Sequence, residues 1–365
     1  MDNPSNQSRE ELQPKNSEPI PAALWLISLI LAGLLFMSVW LCALASCRFE
    51  KGTAEKETET VKKTESAKPL SYPLATSAKK DSYVPESTDR TVLITETTDA
   101  KSAALVDLTT NRVIASKQGD ARIYPASMTK VMTLIVACDH ITDPEEKVTV
   151  PDHIVQTLKE SGASVMSLSE GEIIPVRTLL YGLILRSAGD AALVLAEHLA
   201  GSENAFVVWM NEKAASLGLT GTHFTNCTGL HDDDHYTTCR EMAAIFAYAL
   251  DNDYPREVLT TREINVPSYD KKDIVYYMKA GWVENFEKYG MSTDLSSGLS
   301  VYGGKTGFTE DIRDENGKLI KNHCLVTCAR DSSGGNYVLV TAGGVGNAPN
   351  RAEDAITIYN AYIDS

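Results

Sequence analysis

Pro125-Ala126-Ser127-Met128-Thr129-Lys130, continuing into the apolar run Val131 to Cys138, is the stretch on which the rest of the chain turns. It reads as a loop that drops into a helix, with Ser127 in the first turn. A spacing of three puts the Ser127 hydroxyl and the Lys130 amine on one helical face. A lone serine is a poor nucleophile until a base stands beside it. A lone lysine is protonated at neutral pH; burial or a second nearby cation lowers its pKa and makes it a base. The free N–H groups and positive dipole end of a helix N-terminus suit a developing oxyanion. The pair therefore reads as a serine nucleophile activated by lysine. The Ser-x-x-Lys pattern is cheap by itself. It also occurs at Ser77 to Lys80 and at Ser268 to Lys271, where it reads as solvated surface. Only the Ser127 copy opens an apolar helix.

Two more stretches offer partners for it. In Gly303-Gly304-Lys305-Thr306-Gly307, Lys305 on an edge strand supplies a cation and Thr306 a hydroxyl for a carboxylate. The small glycines let another backbone approach, and an extended peptide could join that edge as an added strand. Lys305 near Lys130 would also lower the Lys130 pKa. In Leu185-Arg186-Ser187-Ala188-Gly189-Asp190-Ala191-Ala192, at a junction of two helices, Ser187 could relay a proton. The plainer readings are a glycine-rich hairpin for the first stretch and a helix cap at Ser187 or Asp190 for the second.

The chain has 365 residues, 43% of them hydrophobic, which suffices for a sizeable core in one large or two small domains. A net charge of −15 argues against a nucleic-acid partner. Residues 1–19 are polar. Residues 20–47 hold an uncharged apolar run, Ala22 to Ala45, long enough to span a bilayer. An uncleaved anchor is the first reading. Cleavage as a signal near Ala43-Leu44-Ala45 is the second, and lipidation at Cys47 in Leu44-Ala45-Ser46-Cys47 the third. The cations after the run (Arg48, Lys51, Lys56, Lys62, Lys63) outnumber those before it (Arg9, Lys15). The positive-inside rule would then put the large domain in the cytoplasm, although it is weak for long translocated domains. Residues 48–98, rich in Lys, Glu, Thr and Ser, read as a solvated linker.

The folded part is expected over residues 99–365. Ser102 to Leu108 and Arg112 to Ser116 read as a strand hairpin. Helices are expected over Val176 to Arg186, Asp190 to Ala200, Asn204 to Leu217 and Arg240 to Leu250. Strands return at His323 to Arg330 and Tyr337 to Gly343, before a last helix from about Asn350 to Tyr362. This order suggests an α/β (α+β) domain, its sheet built from both ends of the domain around a helical block. Seven cysteines form no disulfide framework: Cys324 and Cys328, four apart on a strand, lie roughly 13 Å apart. His231 and His235 around Asp232, Asp233 and Asp234 read as a polar loop and not as a metal site.

The ordered set Ser127-x-x-Lys130, Ser187, and Lys305-Thr306-Gly307 resembles the serine D-alanyl-D-alanine carboxypeptidases, the low-molecular-weight penicillin-binding proteins. Glu170-Gly171-Glu172 with Leu179 to Leu185, Ala196 to Ser202, and Thr228-Gly229-Leu230-His231-Asp232 extend the similarity over about Thr98 to Ser365. The resemblance implies a penicillin-binding/β-lactamase-like fold: an antiparallel sheet flanked by helices, a helical subdomain, and the active site between them. It implies Ser127 as acylated nucleophile, Lys130 as base and Ser187 as proton relay. Lys305 and Thr306 would hold a substrate carboxylate, and the N–H groups of Ser127 and of Phe308, which follows Gly307, would form the oxyanion hole. The implied partners are peptidoglycan stem peptides, with β-lactam antibiotics as inhibitors, at a cell membrane with the catalytic domain outside; no cofactor is implied. Two features depart from the family. Gly189 stands where the middle motif has asparagine, and the chain after Gly307 is too short for the β-rich C-terminal domain of many relatives. The rival readings are a class A-like β-lactamase and a non-catalytic wall-binding relative.

Overall fold

A computed structural model describes residues 82–159, 162–271, 273–313, 317–344 and 351–363. The apolar run Ala22 to Ala45 lies outside them, and among the described residues no helix is long and apolar enough to cross a membrane.

The strands are β1 (Val92–Leu93), β2 (Ser102–Asp107), β3 (Arg112–Lys117), β4 (Lys147–Thr149), β5 (Ile173–Pro175), β6 (Glu263–Pro267), β7 (Val275–Lys279), β8 (Ser300–Arg313), β9 (Leu319–Arg330) and β10 (Asn336–Gly344). Six of them form one sheet in the order β1-β3-β2-β10-β9-β8. It is antiparallel except where β1 runs parallel to β3. The N-terminal hairpin β2–β3 thus docks on the C-terminal strands, as the order of elements suggested. Four successive residues of β2, Ala103 to Val106, are buried, so both faces of the sheet are covered. The strand β8 forms the far edge.

The helices are α1 (Lys130–His140), α2 (Asp152–Lys159), α3 (Val176–Leu185), α4 (Gly189–Ala200), α5 (Glu203–Ser216), α6 (Cys239–Asp251), α7 (Asp253–Thr260), α8 (Gly281–Lys288) and α9 (Arg351–Tyr362). Every residue of α1 from Lys130 to Cys138 is buried. A helix apolar on all sides is a core helix, and α1 packs against α3, α4, α5 and α6 at once. The helix α6 lies on β2 and β10, and α9 on β9 and β10. The five cysteines of this region are free and buried, small hydrophobes in packing terms.

The linker expectation needs correction for residues 82–98. Tyr83 (5% exposed) stacks edge-on against Tyr248, and Ile94 (3%) is buried. The backbone pairs with β3: Ile94 N–H donates to Ser116 O at 3.0 Å, and Val113 N–H to Glu86 O at 2.9 Å. Two apolar anchors and backbone pairing hold a segment whose composition alone reads as solvated. The β6–β7 hairpin and the helices α2, α7 and α8 were also not anticipated; each is short.

Tyr83 and Ile94 together stabilise the domain by about 3–5 kcal/mol of apolar burial. A chain starting at residue 99 is therefore expected to melt roughly 5–10 °C below one starting at residue 82. Thermal unfolding of the two checks this, and equal melting temperatures would show the segment to be dispensable.

Candidate active site

Ser127 lies in a single 3-10 turn, Ala126–Thr129, that feeds directly into α1. Ala126 is held at φ +48°, a left-handed conformation that costs an alanine free energy. The surrounding backbone enforces it from two sides. On one side is Gly229, at φ +79°, where a Cβ would stand 2.1 Å from Ala126 O. On the other is Gly307 of β8, where a Cβ would stand 2.7 Å from Pro125 O. Only residues without a side chain let both segments close on the turn. Asn322 of β9 adds a hydrogen bond to Tyr124 O at 2.9 Å.

The packing delivers Lys130 to Ser127. Lys130 is 2% exposed, and its Nζ lies 3.1 Å from Ser127 Oγ and 2.5 Å from Thr228 O. Thr228 belongs to a loop closed by Asn226, whose Oδ1 accepts N–H bonds from Thr228 (3.1 Å) and Gly229 (2.7 Å). Burial pushes the Lys130 amine down to about 8, against the opposing pull of Cys227 and Asp190.

Ser187 lies in the middle of the α3–α4 junction at φ +54°. It does not cap α4, whose N-cap is Ala188 without a side-chain bond. Its Oγ instead accepts a hydrogen bond from Lys305 Nζ at 2.9 Å. Lys305, 2% exposed on β8, also donates to Thr306 O at 2.8 Å. Burial, then the Lys130 charge and then Arg351, hold Lys305 well below the usual lysine range. The expected coupling of the two lysines thus emerges on the Lys305 side. Phe308 turns its half-exposed ring along the cleft rim against His323, at 4.6 Å between centroids.

One cleft of about 380 Å³ is lined by Ser127, Lys130, Ser187, Thr306 and Phe308, together with Arg351. Arg351 escaped the sequence reading. It enters from the first position of α9 and donates to Gly307 O at 2.9 Å, and burial lowers its pKa. One arginine at the start of a mixed helix carries no signal that separates it from a solvated charge. His235, weighed above as part of a polar loop, is buried beneath the turn. Its Nε2 lies 2.7 Å from Thr129 Oγ1, and its Nδ1 accepts from Thr225 N–H at 3.1 Å. Burial pushes it down to about 4, so it stays neutral.

A sheet edge facing a helical block, with serine and lysine on a buried helix between them, defines the penicillin-binding DD-peptidase fold. The profile of the D-alanyl-D-alanine carboxypeptidase family matches residues 88–332, and the chain belongs to that family. D-alanyl-D-alanine carboxypeptidase DacF of Bacillus subtilis is 37% identical over 145 residues, 40% of this chain and 37% of that protein. DacA of Escherichia coli K12 is 34% identical over 218 residues, 58% of this chain and 50% of that protein. The chain thus spans half or less of these two relatives. The D-alanyl-D-alanine carboxypeptidase of Streptomyces strain K15 is 31% identical over 69% of this chain and 82% of that protein. The crystal structure of the Streptomyces K15 DD-transpeptidase superimposes with a TM-score of 0.62 at 26% identity, over 73% of this chain and 99% of that one.

The two-sided clamp on Ser127 has a measurable consequence. Gly229→Ala is expected to lose about 2 kcal/mol or more beyond Gly171→Ala, whose φ of +69° is similar but which has open space at its Cβ. Chemical denaturation compares them; equal losses would mean that the close contact at Ala126 is not felt.

Proposed function

We propose that this chain is a serine-type D-Ala-D-Ala carboxypeptidase that removes the terminal D-alanine from peptidoglycan stem pentapeptides through an acyl-enzyme on Ser127. The observation that carries the reading is the 3.1 Å approach of a buried, easily deprotonated Lys130 amine to the Ser127 hydroxyl.

Neutral Lys130 takes the Ser127 proton as Oγ attacks the carbonyl of the penultimate D-alanine. The N–H groups of Ser127 and Phe308 receive the oxyanion. The C–N bond then breaks, and the departing amine takes a proton returned through Ser187 and Lys130. Water attacks the ester, the same base accepts its proton, and Ser127 is released. Lys305 and Thr306 hold the terminal carboxylate, and Arg351 adds a second cation at that end of the cleft. A carboxylate arriving there favours the protonated form of Lys305, which burial alone disfavours. The same groups suit the carboxylate and strained amide of a penicillin, which would acylate Ser127 and leave slowly.

The apolar run Ala22 to Ala45 fits this role as an N-terminal anchor. It would hold the domain outside the membrane, where the substrate lies, in preference to the orientation that its flanking cations favour.

Full-length protein treated with penicillin is expected to gain the mass of one adduct, absent in Ser127→Ala; folded protein without a mass gain would contradict the reading. The pH dependence follows from Lys130. Below about pH 8 the amine is protonated and cannot accept the Ser127 proton. kcat/KM for D-alanine release is therefore expected to fall about tenfold per pH unit on the acid side of that value and to level off above it. A rate flat from pH 6 to pH 9 would exclude Lys130 as the base.

A further inference from the structure

Position 189 offers no side chain to the cleft, and the structure shows what forms that wall instead. Gly189 N–H donates to Ser164 O at 2.7 Å. A Cβ at 189 would stand 3.4 Å from both Ala163 Cβ and Ser164 O. The segment 162–168 therefore lies directly against the start of α4, and Gly162, Ala163 and Ser164 line the same cleft as Ser127, Lys130 and Ser187. Ser164 is exposed to that space.

Two buried carboxylates fix this segment. Asp190, 3% exposed, accepts N–H bonds from Met166 at 3.0 Å through Oδ1 and from Leu168 at 3.1 Å through Oδ2. Glu172, 2% exposed, accepts from Ser169 N–H at 3.0 Å and pairs with Lys271 Nζ at 2.7 Å and with the Tyr276 hydroxyl. Ser167 between them is held at φ +64°. Burying a carboxylate is costly unless it is well bonded. Here two are committed to holding one stretch of backbone in a strained form. Their bonds fall on residues 166 to 169, the stretch that directly follows Ser164.

We propose that Ser164 is a substrate-contacting residue, its hydroxyl bonding a backbone amide of the stem peptide from the wall where position 189 presents no side chain. A hydroxyl both donates and accepts, so it serves either the N–H or the carbonyl of that amide. The inference rests on the carboxypeptidase reading above.

The test compares full-length wild type, Ser164→Ala and Ser164→Thr in D-alanine release from a diacetyl-L-lysyl-D-alanyl-D-alanine peptide, with melting temperatures in parallel. Ser164 is exposed, so all three are expected to melt alike. kcat/KM is expected to fall about 5- to 10-fold in Ser164→Ala and to stay within about twofold of wild type in Ser164→Thr, which keeps the hydroxyl. A Ser164→Ala enzyme within twofold of wild type would overturn the inference, as would equal losses in the two variants. A wild type that releases no D-alanine would instead remove the carboxypeptidase reading, so the two failures are told apart.

Discussion

A lysine amine sealed in the core beside a serine hydroxyl is what this domain is arranged to hold. Burial of a charged ammonium is strongly unfavourable, and Lys130 relieves the cost in two ways: it bonds Thr228 O, and it gives up its proton more readily than a surface lysine does. Both depend on α1 being apolar and enclosed on every side. The same enclosure places Ser127 in the 3-10 turn that leads into that helix, where it meets the cleft. The nearby Asp190 carboxylate pulls the other way, but it is occupied with the backbone of residues 166 and 168.

Three separate parts of the fold send a basic side chain toward the site: Lys130 from the helical block, Lys305 from the sheet edge and Arg351 from the last helix. Lys130 and Lys305 are buried, and the charges of Lys130 and Arg351 lower the pKa of Lys305. A cleft of this kind favours an anion, in a protein whose overall charge is −15. The glycines 229 and 307 make the convergence possible, because they let the Thr228 loop and β8 close on the Ser127 turn.

The long elements were legible in the sequence because their apolar spacing matches what they bury: the β2–β3 hairpin, the helices from α3 to α6, and β9 with β10. The residues Ser127, Lys130, Ser187 and Lys305 were legible as types in order; the fold brings the first three into one cleft and joins Lys305 to it through the hydrogen bond to Ser187. What escaped was set by tertiary contact. Residues 82–98 gain order from pairing with β3 and from the packing of Tyr83 and Ile94. Arg351 matters only because α9 begins against Gly307. The consequence of Gly189 is visible only once Ser164 is seen against it. The N-terminal apolar run speaks through composition alone.

The ionisation of Lys130 is the quantity to measure. In a domain carrying isotope-labelled lysine side chains, an NMR titration of the Lys130 Nζ is expected to show a midpoint near pH 8, while exposed lysines titrate above about 10. A Lys130 that titrates with the exposed lysines would mean that its amine stays charged at neutral pH, and the account of Ser127 activation would fail.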